Sequence, residues 1–255
     1  MKKTLIAFVA LLLTANILFA QNERFTTGGT IEYDKTVNTF AIIKKLYGNG
    51  EGFMQQIIDQ YKKTQPQFRT AKSTLTFGND KTLFTPIVPE TVANNNFNLP
   101  MTDQYNTIYT DMATNTSTVQ KVVFEQTFLV KDTIRKIKWK ITDETRDISG
   151  YSCTRANGLM LDSIYVVAFY TDKIPVSGGP ESFAGLPGMI LEVAVPHENV
   201  IWRATKVSET DPAPIVPPKK GKPLNNKQLF ETLLSVFKGR GDANQINYIL
   251  KAYIL

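Results

Sequence analysis

The chain has 255 residues, 42% hydrophobic and 20% charged, with a formal net charge of +6. That balance excludes a disordered chain and allows a sizeable packed core. The single cysteine, Cys153, excludes an internal disulfide, so stability must come from packing.

Lys2 and Lys3 precede an apolar run from Leu5 to Leu13, and Ala20 supplies the small residue expected before a cleavage point. This predicts a secretory signal peptide over residues 1–20 and a single β-rich domain over 21–255, with an exported, periplasmic or extracellular location. Thr14 and Asn16 interrupt the apolar run, and no later stretch is long enough to span a bilayer, so the mature chain is expected to carry no transmembrane span. Without Lys2 and Lys3 the balance is 27 basic against 23 acidic side chains. So mild a surplus is a statement about solubility, and nucleic acid is not an expected partner.

A strand is predicted from Thr30 to Val37, then an apolar piece from Phe40 to Leu46. Met54, Ile57, Ile58 and Tyr61 recur at helical spacing and predict a helix over residues 53–63, closed by Pro66. Phe68–Phe77 and Thr82–Val88 predict a hairpin turning on Asn79-Asp80. Residues 89–104 are rich in Asn and Pro and predict a loop, followed by strands over Thr107–Met112 and one long segment, Thr118–Val130.

Arg135–Ile141 alternates cleanly: Ile137, Trp139 and Ile141 on one face, Lys136, Lys138 and Lys140 on the other. Further strands are predicted at Tyr151–Ala156 and Ser163–Thr171. A hairpin over Met189–Val195 and Asn199–Val207 should turn at Pro196 and His197. Residues 211–223 hold five prolines and several lysines, which predicts an extended arm. A C-terminal helix is predicted over residues 226–238, ended by Gly239 and Gly241. Strand after strand with short connections predicts a mainly β fold: a curved antiparallel sheet or open half-barrel covered by helices.

Counting residue types removes most active sites. One histidine, His197, in a predicted turn cannot build a His-rich metal site, and no G-x-S-x-G accompanies it. Cys153 sits inside a strand pattern, as a small buried hydrophobe would. Asp143, Glu144 and Asp147 cluster near a predicted turn; they suit a solvated turn, or one half of a carboxylate hydrolase site. No glycine motif for nucleotide phosphates is present, and no cofactor or metal is expected.

One segment stands out. Between predicted strands, residues 178–188 contain four glycines and two prolines. Glycine permits close backbone approaches and proline fixes φ, so the product is a loop of defined shape. Phe183 and Leu186 are placed to plug the end of the sheet.

The run Gly185-Leu186-Pro187-Gly188-Met189-Ile190 closely resembles the motif of the GLPGLI family, exported proteins mostly from Bacteroidetes, with Met189 for its second leucine. Trp139-Lys140-Ile141 with Thr142–Glu144, Gly150-Tyr151-Ser152-Cys153 with Ala156, and Tyr170-Thr171 with Ile174-Pro175 and Gly179-Pro180 resemble the family's ordered blocks across residues 135–195. Phe169 departs from an expected tryptophan. The resemblance implies no established activity and no catalytic residues. It implies a curved sheet over a helix, similar to lipoprotein-carrier open barrels.

The expected function is therefore binding of a hydrophobic small molecule, lipid or peptide in the cell envelope, with Trp139, Tyr151, Phe169, Phe183, Leu186 and Trp202 as candidate contacts. Gly179, Pro180, Gly185, Leu186, Pro187 and Gly188 would form the shaped loop. An alternative is a module that docks an envelope protein through the arm or a sheet edge. A carboxylate hydrolase is the third reading.

Overall fold

The computed structural model describes residues 25–48, 52–89, 97, 99–123, 125–239 and 242–255; the expected signal peptide lies outside them. The first strand, β1 (Gly28–Asn38), buries alternate residues Ile31, Tyr33, Lys35 and Val37. Asn38 ends it and caps α1 (Thr39–Tyr47), its side chain accepting from the Ala41 amide at 3.1 Å. The second helix, α2 (Phe53–Thr64), buries Ile58 and Tyr61. Next, β2 (Phe68–Gly78) and β3 (Lys81–Ile87) turn on Asn79 and Asp80 at φ +50° and +57°. Two left-handed positions match the strands' right-handed twist, and Asn and Asp tolerate them.

After a single turn, α3 (Pro100–Asp103), come β4 (Thr107–Asp111), β5 (Thr116–Val123) and β6 (Gln126–Thr133). The expected single strand Thr118–Val130 is thus a hairpin. One strand ends at Val123 and the next begins at Gln126, and no Gly, Pro, Asn or Asp in the sequence between them signals a reversal. Three residues lead to β7 (Ile137–Ile148), then β8 (Tyr151–Met160), β9 (Ile164–Thr171) and, beyond the Gly/Pro loop, β10 (Met189–Val195). A short 3-10 turn at Pro196–Glu198 leads into β11 (Val200–Ser208). The chain ends with β12 (Lys222–Leu224), α4 (Asn226–Phe237) and α5 (Ala243–Ile254). The last helix was not expected. Its start signal is Asp242, whose carboxylate accepts from the Asn244 and Gln245 amides at 2.8 and 3.0 Å.

The twelve strands of the described residues join one sheet in the order β12-β6-β5-β4-β3-β2-β1-β11-β10-β9-β8-β7. It is two consecutive meanders, β1 to β6 and β7 to β11, fused where β1 pairs antiparallel with β11. The mainly β, open antiparallel architecture expected from the alternation is what the molecule has. The exception is β12, which pairs parallel with β6.

Connectivity dictates the curl. Flat, β6 and β7 would stand ten strand spacings apart, about 48 Å. The link between them is only residues 134–136, which can reach roughly 14 Å. The sheet must bend until these two strands approach, yet they are not hydrogen-bonded neighbours. An open seam remains between them. The Pro-rich arm makes the opposite journey, from β11 to β12 across seven spacings, about 34 Å. Residues 209–221 in extended polyproline geometry reach about 40 Å, and Pro212 packs against Gly28 and Gly78 on the way.

Alternation along β9 sorts the core. Ile164, Val166, Ala168 and Tyr170 join a cluster with α1, α2, Phe183, Leu186 and Trp202. Val167 and Phe169 join another with Ile31, Tyr33, Leu75, Phe77 and Cys153. A third seats Leu229, Leu233, Phe237 and Tyr253 of the terminal helices on Phe128 and Val130. Burying such side chains contributes about 1.5–3 kcal/mol each. No helix of the described residues is long and apolar enough to cross a membrane.

Candidate functional site

The Gly/Pro loop, residues 172–188, earns its composition at two glycines. A Cβ on Gly188, at φ +151°, would lie 2.1 Å from the Thr171 carbonyl oxygen; one on Gly179 would lie 2.8 Å from Ile190 Cβ and the Phe183 oxygen. No side chain fits at either position. The backbone closes on itself through Gly188 N to Leu186 O at 2.8 Å and Ile190 N to Gly178 O at 2.8 Å. Pro180 accepts from Phe183 N at 3.2 Å, and Pro187 directs the chain into β10. Ile174, Val176, Phe183, Ala184 and Leu186 of the loop are buried. Phe183 meets Trp202 edge-on at 5.5 Å between ring centroids, and both are 1% exposed. Leu186 is buried beside them, and Trp139 Nε1 donates to Ala184 O at 3.0 Å, next to Gly185.

Four of the six expected contact residues, Trp139, Phe183, Leu186 and Trp202, thus share one cluster. Phe169 and Tyr151 belong to another. Phe169 lies under the Arg146 guanidinium at 3.8 Å, and Arg146 pairs with Glu192 at 2.8 Å. The Tyr151 hydroxyl sits 3.3 Å from Thr26 Oγ1 and 3.4 Å from Glu209.

At the loop's turn, Glu181 takes a left-handed backbone, φ +50°, unusual for a non-glycine residue, and is held at 6% exposure. Its carboxylate lies 3.8 Å from Lys35 Nζ and accepts from Asn106 Nδ2 at 3.4 Å. Lys35 lies opposite Trp202 in the β1–β11 register, with Nζ 5.1 Å from that ring's centroid. Burial lowers the Lys35 pKa, and Glu181 and Asp103 pull it back up. Nearby, Gln104 Nε2, Asn106 Oδ1 and Trp202 Nε1 are buried without a protein partner. The sequence carried a signal for this site: Lys35 occupies the buried register of β1, among Ile31, Tyr33 and Val37.

Lys35 also lines a cleft of about 260 Å³. Val37, Ala71, Ile87 and Pro89 supply apolar wall. Arg69 and Lys72 stand at it, paired with Asp103 and Asp34 at 3.0 Å each. Among the described residues no carboxylate, thiol or imidazole lines it, while the Tyr105 phenol does. The arrangement can hold a negative head group against Lys35 and an apolar body against the wall. A roomier hollow of about 520 Å³, between Thr26, Gly28, Asn79, Glu209 and Pro212, is mostly polar.

The remaining chemistry candidates are apart from this cleft. Cys153 is fully buried, and burial pushes its thiol up to about 12, an inert range. His197 is exposed in its turn, its carbonyl accepting from Lys45 at 2.8 Å. Asp143, Glu144 and Asp147 are not in a turn but within the exposed edge strand β7. There Glu144 pairs with Arg155, and a bulge between Ile141 and Thr145 interrupts the ladder. They form no cleft. Among the described residues no group of three His, Cys, Asp or Glu is placed to hold a metal.

A family model described as "Protein of unknown function (Porph_ging)" matches residues 157–192. That span runs from β8 through β9 and the Gly/Pro loop into β10. Among curated proteins none matches the chain in sequence. Among solved structures, it resembles PNGF-II in two crystal forms. In the C2 form the TM-score is 0.51 at 13% identity, over 80% of this chain and 32% of that one. In the P21 form it is 0.50 at 15% identity, over 81% and 33%. The chain spans about a third of that protein's length, and at such identity the likeness is one of fold alone: a short segment matches a family of unknown function, on a sheet architecture shared with part of a larger protein.

Proposed function

We propose that the protein is an exported, GLPGLI-type binding protein of the cell envelope that holds an amphipathic anion in the Lys35 cleft without transforming it. The ligand is a negatively charged head, carboxylate or phosphate, on an apolar body. The observation that carries this reading is the Lys35 ammonium: a buried cation at an apolar-walled cleft, backed by Glu181 and the Trp202 face. A buried cation is costly unless it has work for its charge. The export part rests on the Lys2–Ala20 pattern and the resemblance over residues 135–195. The hydrophobic-ligand expectation is refined here, because the large aromatic side chains of the interior pack against one another and the accessible apolar wall lies next to charge.

Native mass spectrometry of protein purified from its source envelope, followed by calorimetric titration with octanoate, tests the reading. Retention or saturable uptake of one octanoate per chain, weakened at least tenfold in octanol, supports it. An empty protein that ignores both probes removes it. Fractionation of cells tests export separately.

A further inference from the structure

The tip of the β8–β9 hairpin breaks a local rule, and this observation is independent of the Lys35 cleft reading. The hairpin turns on Leu161 and Asp162, both left-handed at φ +49° and +56°, and closes through Ser163 N to Met160 O at 3.3 Å. Such turns favour Asn, Asp and Gly, because other L side chains crowd the backbone there. Among the described residues eight non-glycine positions have positive φ, and Leu161 is the only apolar one. Its side chain does not fill the core, for Leu161 is 48% exposed.

Strand register adds to this tip. Lys138, Leu159 and Tyr165 are direct partners across β7, β8 and β9, so they share one face of the sheet. Leu159 and Tyr165 are 38% and 37% exposed. Lys140 lies two residues along β7 and so on that same face, and Lys136 immediately precedes the strand. Both are exposed, and among the described residues neither has a carboxylate within ion-pair distance. Lys138 pairs with Asp162 of the turn at 2.6 Å. The result is an exposed apolar hairpin end flanked by a row of lysines that outnumbers its one acid.

We propose that this hairpin end docks on an anionic lipid surface. Leu161 enters the head-group layer, with Leu159 and Tyr165 behind it, while Lys136, Lys138 and Lys140 lie against the phosphates. The charge is complementary to such a surface, and lysine stems are long enough to hold the ammonium at head-group level while the tip goes deeper. A leucine held in an unfavourable backbone conformation gains nothing from packing inside this molecule; a bilayer supplies the missing burial.

Co-sedimentation of the mature chain with phosphatidylglycerol vesicles and with phosphatidylcholine vesicles, at low and high salt, tests the proposal. Binding to phosphatidylglycerol alone, weakened by salt, is expected. Lys136→Gln and Lys140→Gln should each weaken it about fivefold. Leu161→Asn should weaken it about tenfold. Because asparagine tolerates the left-handed turn, the same variant should unfold about 2–4 °C higher, which separates lost docking from lost folding. No binding to phosphatidylglycerol at low salt, or binding that Leu161→Asn leaves unchanged, would overturn the proposal. So would self-association that Leu161→Asn abolishes in a chain that ignores vesicles, since the tip would then meet a second copy.

Discussion

Lys35 Nζ lies 3.8 Å from Glu181 Oε1 and 5.1 Å from the centre of the Trp202 ring. A strand that begins the first meander, the loop of the second and the strand that fuses them thus meet at one buried charge pair. The pair joins stability and the proposed binding role, and it can be dissected. Lys35→Met leaves a buried carboxylate uncompensated and should cost about 3–5 kcal/mol. Glu181→Gln should cost less, because Asn106 still has an amide oxygen to donate to. The double variant should be less destabilised than the sum of the two by at least about 1 kcal/mol. Urea unfolding of the four proteins measures the coupling, and strict additivity would mean that the two charges do not interact.

The loop glycines separate close approach from conformational freedom. Gly188→Ala places a methyl group on the Thr171 carbonyl and should destabilise by about 3–4 kcal/mol. Gly150→Ala, at φ +86° with nothing within 4 Å, should cost only about 1 kcal/mol. Denaturant midpoints of the two variants rank the effects; equal losses would contradict the packing described for the loop.

Stability should rise with pH from about 7 to about 10. Lys121 titrates near 7 in the folded protein and near 10.4 when unfolded. Between these values the unfolded chain holds a proton that the folded chain has released, so raising pH favours folding by up to about 1.4 kcal/mol per unit. Lys35 shifts in the same direction. Above pH 10 the trend reverses, because burial raises Tyr33 and Tyr248, which keep protons that the unfolded chain loses. Urea midpoints from pH 6 to 11 check the curve. Lys121→Met should flatten the rise.

Cys153 should be silent toward iodoacetamide at pH 8 in the folded protein and react only as fast as the molecule opens globally. Labelling that outruns unfolding, followed by mass spectrometry, would show that the thiol is reachable and reactive after all.

How much of this was legible in the sequence depends on where the information resides. Period-two alternation placed β1, β2, β3 and β11 well, and β9 and β10 were placed by apolar runs that continue on both faces. The β5–β6 hairpin was hidden because its turn uses ordinary residues, and β7 was cut short because Thr142–Asp147 reads as a polar turn. Those acids are exposed on an edge strand, where charge discourages strand addition and costs nothing in burial. The Gly/Pro loop announced itself by composition. The charge pair did not. Lys35 and Glu181 are 146 positions apart, and the β1–β11 register together with the loop between β9 and β10 brings them together. One clue was local: a lysine in the buried register of an alternating strand.

The most direct test of the binding reading is methyl NMR of the mature protein during an octanoate titration. Saturable shifts confined to Val37, Ala71 and Ile87, lost on replacing octanoate with octanol, are the predicted outcome. Shifts spread along β5 and β6, or none at any concentration, would contradict the assignment of the Lys35 cleft as the site of binding.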